Sequence, residues 1–179
     1  MSTRSIVAIP ESDSWRGRYI HSDGYPSGNG SVLHAMVRRD GVETVRKVLT
    51  EQWCGWSCID QDQPDITGVA PFTGKHGDPG YPDYGTAEYV ATIMSKGGMY
   101  GDGRFANVPG WGIAYTVESG QIAEDDWYTP SNTQDTEWVY VLSDSEMLVL
   151  KCHWDDPPTF VTRVAYDDEP DWESIEKSA

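Results

Sequence analysis

The sequence predicts an α+β fold, a single domain in which an antiparallel sheet carries two or three helices packed against it. Three observations point there. Short runs of β-branched and aromatic residues open the chain and recur in its last third. Between them lie segments whose apolar residues follow a helical period and end at glycine. No internal repeat and no linker divides the 179 residues, a length that suits one domain.

Residues 3–9 (TRSIVAI) form the first predicted strand, stopped by Pro10. A polar turn at 11–14 leads into a return strand at 15–21 (WRGRYIH), giving a hairpin. Alternation sets Arg16, Arg18 and Ile20 on one face and Trp15, Tyr19 and His21 on the other. Residues 23–30 (DGYPSGNG) hold three glycines and one proline, too many for regular structure, and read as a loop. Ser31 is the expected N-cap of a helix through Val32, Leu33, Met36 and Val37, interrupted by Asp40-Gly41. A second helix over 42–52 lines up Val42, Val45, Val48 and Leu49.

Residues 53–71 read as irregular, and 72–85 as a long Gly/Pro-rich loop of the kind that is functional or mobile. A third helix covers 86–96, with Tyr89, Val90, Ile93 and Met94 inward, and stops at Gly97-Gly98. A strand follows at 111–117. Residues 137–143 and 146–152 flank an Asp144-Ser145 turn and make a hairpin that is apolar on both faces, hence central and covered on both sides. A last strand spans 159–165. The domain thus occupies 1–166, and 167–179 form an acidic tail, loose except for Trp172 as an anchor.

Composition excludes several functions. Thirteen Lys and Arg face 29 Asp and Glu, so the net charge of −16 argues against direct nucleic-acid binding by phosphate neutralisation and against an anionic membrane surface. Residues 1–60 are electrically balanced, so the whole excess lies in 61–179. Eight Trp and ten Tyr compensate for a modest apolar content and indicate a globular chain. No apolar run approaches the ~20 residues of a membrane helix, and the opening residues lack a signal-peptide core. Three cysteines are an odd set for a disulfide framework, so a reducing cytoplasm is expected.

The segment Thr3-Arg4-Ser5 together with Tyr19–23 and Gly24-Tyr25-Pro26-Ser27-Gly28-Asn29-Gly30 resembles the opening of a group of small, uncharacterised bacteriophage and bacterial proteins. Those pair a T-R-S or T-R-N strand with an aromatic–x–His/Gln–Trp–D-G-Y-P-x-G-x-G signature before a helix. Ser22 stands where the group often has Trp, and 137–142 (EWVYVL) resembles its closing strand. The resemblance covers about the first 50 residues and implies a phage or bacterial source, with host cytoplasm as the place of action if phage-encoded. It implies no activity.

The candidate ligand site is the 21–30 loop with its neighbours: Arg4, Arg18, His21, Asp23, Tyr25, Gly28 and Gly30. Glycines permit close backbone approach, a helix N-terminus presents free amides, and Arg4, Arg18 and His21 supply cationic donors for a phosphate or carboxylate. The plainer reading is a turn with Asp23 as its Asx residue. The spacing matches neither a Walker motif nor a dinucleotide fingerprint.

Cys54, Cys58, Cys152 and His153 would make a Cys₃His zinc set. The spacing is unusual and adjacent strand residues point apart, so buried free cysteines are the expected outcome, with no metal and no cofactor. Loss of Met1 would expose Ser2 as an N-terminal nucleophile, but no oxyanion donor can be named. Asp125-Asp126 and Asp155-Asp156 read as solvent-facing pairs. Tyr81, Tyr84, Trp111 and Trp127 are loop aromatics that either stack on a ligand or pin the loops to the core.

The acidic surface suits a basic partner or simply solubility. These features predict a non-enzymatic accessory protein that binds a host factor or sequesters a small anionic, nucleotide-like ligand. The alternatives are a small hydrolase or transferase with His21 as base, or a structural virion component.

Overall fold

The computed structural model describes residues 2–97, 104–116, 123 and 125–179. Met1, Gly98 and Val117 therefore lie outside the described residues. One eight-stranded sheet organises the chain. The opening hairpin, β1 (Ser5–Glu11) and β2 (Ser14–Ile20), pairs antiparallel with Val7 opposite Arg18, as the sequence predicts. Two helices follow, α1 (Ser31–Asp40) and α2 (Val42–Arg46), the second continuing into a π-helical turn at Lys47–Glu51. The chain then enters β3 (Gly55–Ile59), and later α3 (Ala87–Ser95), β4 (Phe105–Val108) and β5 (Gly112–Tyr115). The last third supplies β6 (Trp138–Leu142), β7 (Glu146–Lys151), β8 (Thr159–Ala165) and α4 (Trp172–Ser178).

The strand order is β4-β5-β3-β2-β1-β6-β7-β8. The sheet is mixed, which corrects the expected antiparallel one: β2 runs parallel to β3, and β1 parallel to β6. For β2 and β3 the cause is the path of residues 26–51. A helical crossover over one face returns the chain in its original direction, so the strand that follows is parallel. Four α-helices, not two or three, stand among the described residues. The expected irregular stretch 53–71 contains β3, and β4 has no counterpart in the sequence reading. The acidic tail holds α4, capped by Asp171, whose carboxylate accepts from the Ser174 amide at 3.1 Å.

The two faces of the sheet differ. Leu33, Met36 and Val37 of α1, Val45 of α2, and Trp172 and Ile175 of α4 pack with Val7, Ile20, Trp56 and Tyr140 in the main core. The opposite face buries a smaller cluster, Ile6, Ala8, Trp15, Val139, Val141 and Cys152, under Tyr128 instead of a helix. β6 is buried along its whole length and divides its side chains between both clusters, as its unbroken apolar sequence predicts. Its neighbour β7 is only half-buried toward the second face. Gly17 is required where β2 meets Tyr128, because a Cβ there would sit 2.4 Å from Ile6 Cγ2 and 2.5 Å from the Val7 carbonyl.

Candidate functional site

The residues grouped by the sequence reading divide into three places. Arg18 is 5% exposed and faces the helices. Its Nε donates to the Thr50 carbonyl at 3.0 Å, its Nη1 to the Asp126 carbonyl at 3.0 Å, and its guanidinium lies 3.7 Å from the centre of the Trp127 ring. Burial lowers its pKa from the usual arginine value. The guanidinium thus holds the 126–128 segment against β2 and the turn after α2.

Arg4 and His21 lie on the other face, by strand parity, and line an open groove with Asp135, Glu137 and Trp154. His21 Nδ1 is bonded to the Tyr19 hydroxyl at 2.8 Å. Burial, then the Arg4 charge, lowers the His21 pKa. A base at His21 and an anion clamp at Arg18 are therefore separated by the sheet.

The third place is the loop itself. Its amides are engaged internally: Gly24 N–H on the Thr3 carbonyl at 2.8 Å, Gly28 N–H on Tyr25 at 3.0 Å, and Asn29 N–H on Asp23 at 2.8 Å. The helical path also begins earlier than expected. Residues Pro26–Gly30 form a π-helical turn that runs straight into α1, with Pro26 at its start. Ser31 is consequently an interior residue, not the N-cap, and its hydroxyl donates back to the Ser27 and Gly28 carbonyls. Gly30 packs beneath Trp172 and Tyr140, where an added Cβ would lie 3.2 and 3.1 Å from their rings. Asn29, fully buried, ties the turn to Ser5 and Ser22. The Gly24, Gly28 and Asn29 amides, three of the donors an anion at this turn would use, are thus already bonded within the chain.

What the loop does build is one wall of a cavity of about 270 Å³. Asp23, Tyr25, Gly28 and Asn29 form that wall, with Val32 from α1. Cys58, Ile59 and Asp60 close it at the end of β3, with Gln63 and Ile113. Tyr84, Tyr89, Val90 and Ile93 form the far side. The cavity sits beyond the carboxyl ends of the parallel strands β2 and β3, a position that open sheets of this kind commonly offer to ligands. Asp23 holds the left-handed conformation at φ 56°, which places its carbonyl on Asn29 and its carboxylate on the Tyr25 hydroxyl at 3.3 Å.

The electrostatics are one-sided. Among the described residues of the lining, Asp23 and Asp60 carry the formal charges, and no Lys, Arg or His joins them. The Asp23 charge pushes the Tyr25 phenol upward, and burial does the same to Tyr89. Burial pushes the Cys58 thiol up to about 11, so it is neutral at pH 7. The lining therefore presents two carboxylates, three neutral phenols and an aliphatic floor.

Cys58, Asp60, Gln63 and Tyr89 were absent from the sequence-based site. The usable signal was the Gly/Pro-rich 72–85 loop, whose Tyr84 reaches the cavity and is 82% exposed. Of the other loop aromatics, Trp127 is covered by the Arg16 and Arg18 guanidinium groups, and Trp111 packs on the main core under Arg39. Ser2 donates its hydroxyl to the His21 carbonyl at 2.8 Å. Both aspartate pairs are exposed. The three cysteines are free and lie in different surroundings: Cys54 by Tyr115, Cys58 at the cavity, Cys152 by Thr136. Among the described residues no group of three His, Cys, Asp or Glu is arranged to hold a metal ion, and no helix is long and apolar enough to cross a membrane.

Compared with protein-family models, curated proteins and solved structures, the chain matches none.

Proposed function

We propose that this chain is a non-enzymatic binding protein whose ligand is a small organic cation held in the cavity between the 23–30 turn and α3. The observation that carries this reading is the lining: two carboxylates and three phenols around an aliphatic floor, with no cationic side chain among the described residues that line it. A primary or methylated ammonium group suits such a site, because carboxylates attract its charge and aromatic rings accept a cation over their faces. The volume, about 270 Å³, limits the occupant to a group of roughly amino-acid side-chain size or slightly larger. The bacteriophage and bacterial resemblance belongs to the same proposal, with the protein acting as an accessory factor in the cytoplasm.

Calorimetry with n-butylammonium and tetramethylammonium, against inorganic phosphate and AMP, tests it. The ammonium probes should bind with one site per chain, and Asp60→Asn should weaken them. Binding of AMP or phosphate without the ammonium probes would overturn this reading. An anion site would then be sought at the groove that Arg4 and His21 share.

A further inference from the structure

The cavity does not end at Tyr84. The Tyr84 ring lies 5.1 Å from Tyr89, which lies 6.3 Å from Tyr81. Tyr81 in turn meets His76 at 4.9 Å and Phe72 at 5.7 Å. This chain of rings leads from the cavity mouth across the surface. It is held in place by its own bonds: the Phe72 amide donates to Thr92 Oγ1 at 2.8 Å, and Lys96 Nζ donates to the Gly74 carbonyl at 3.0 Å. Phe72 and Tyr81 are half-buried and serve to fasten the loop, but His76 and Tyr84 are exposed. Fastening the loop does not account for those two.

Charge gives the track a preference. Residues 60–89 carry Asp60, Asp62, Asp65, Asp78, Asp83 and Glu88 against Lys75, and Lys96, whose ammonium lies 5.8 Å from the centre of the Tyr81 ring, adds a second cation beside the track, so acids still outnumber cations there. We propose that the cation entering the cavity is carried by a polypeptide: a lysine or arginine side chain of a basic segment whose flanking residues lie along Tyr84, Tyr81 and His76. This rests on the cavity being a cation site. A free amine would need only the cavity, whereas a peptide uses the cavity for one side chain and the rings and acids for its neighbours. Exposed aromatic anchors beside a pocket, with complementary charge around them, are the usual composition of a peptide-binding surface.

The test compares three probes on the full chain: n-butylammonium, Nα-acetyl-lysine methylamide, and a library of nonapeptides with a central lysine and varied basic flanks. The expected result is that the best peptides bind at least about tenfold more tightly than the blocked lysine. His76→Ala and Tyr81→Ala should remove most of that advantage while leaving the blocked lysine within twofold. His76 is exposed, so its variant keeps the test meaningful should Tyr81→Ala disturb the loop. If the library never exceeds the blocked lysine, or the track variants change nothing, the peptide proposal fails and the cavity reading stands. If neither ammonium probe nor blocked lysine binds, the cavity reading fails, and this proposal with it.

Discussion

Arg18 and Asp23 are five residues apart in the same hairpin and loop, yet they do opposite work. The Arg18 guanidinium is buried and bonded to two carbonyl oxygens from distant segments. The Asp23 carboxylate lines an open cavity and accepts from the Tyr25 hydroxyl. Two other arginines of the N-terminal third, Arg39 and Arg46, also donate to carbonyls of distant segments. Arg39 donates to the Gln61 and Gly110 carbonyls, and Arg46 to that of Leu142. Arg38 pairs with Glu169, and Arg46 also pairs with Asp144. The charge asymmetry along the chain is therefore expressed as cross-links from the balanced first third to the acidic remainder. Arg18, Arg39 and Arg46 are bound into the fold, whereas Asp23 and Asp60 are left at the cavity.

The sharpest way to break this contrast is Arg18→Ala. It leaves the Thr50 and Asp126 carbonyls without their charged donor, and should cost about 3 kcal/mol in urea unfolding, since two hydrogen bonds to a charged group are lost. Ammonium affinity of the folded protein should not change. Loss of affinity without loss of stability would return Arg18 to the site. Gly17→Ala comes next, at about 2 kcal/mol, because the new methyl meets the Val7 carbonyl, which cannot move aside.

Trp172→Ala should cost slightly less, about 1–2 kcal/mol, as the ring is only half-buried. It should also weaken ammonium binding, since Trp172 packs on Gly30 behind the cavity wall and Glu176 accepts from the Ser27 hydroxyl at 2.7 Å. A stability loss with unaltered affinity would show that α4 does not support the wall. Asp60→Asn should lower ammonium affinity about five- to tenfold, roughly 1 kcal/mol, with little effect on folding. Calorimetry on the same preparation reads both.

The smallest effect is a pH dependence. His21 has its pKa lowered on folding, so the unfolded chain binds more protons between the folded value and about 6.5. Its contribution to stability is present above about 6.5 and is lost as pH falls toward the folded value. His21→Gln should flatten that part of the stability profile, and an unchanged slope would show that His21 does not contribute to it.

Local chemistry made much of the fold legible. The hairpin parity that separates Arg18 from His21 is read correctly from alternation, α3 from its helical period and the Gly97 stop, and the β6–β7 hairpin from two apolar runs about a short turn. The same parity already implied that Arg18 and His21 could not share one site. β3 and β4 were missed because GWSCI and FANV are short, the second running straight into Pro109-Gly110, so pairing with neighbours, not intrinsic preference, makes them strands. The turn at 26–30 was misjudged because its glycines suggest a loop, whereas burial of Asn29 and Gly30 under β1, Tyr140 and Trp172 closes it into a helical turn.

By itself, then, the sequence determined the hairpins, the helical segments α1, α2 and α3 with their apolar residues, and the surplus of acid in residues 61–179. Each depends on residues close in the chain, whose spacing and conformational preference act before any distant contact forms. Tertiary structure alone decided that two strand pairs run parallel, that the arginines cross-link carbonyls, and that Asp23, Asp60 and Tyr84 share one cavity. Those outcomes depend on which segments are brought together across the sheet, and no local pattern encodes that distance.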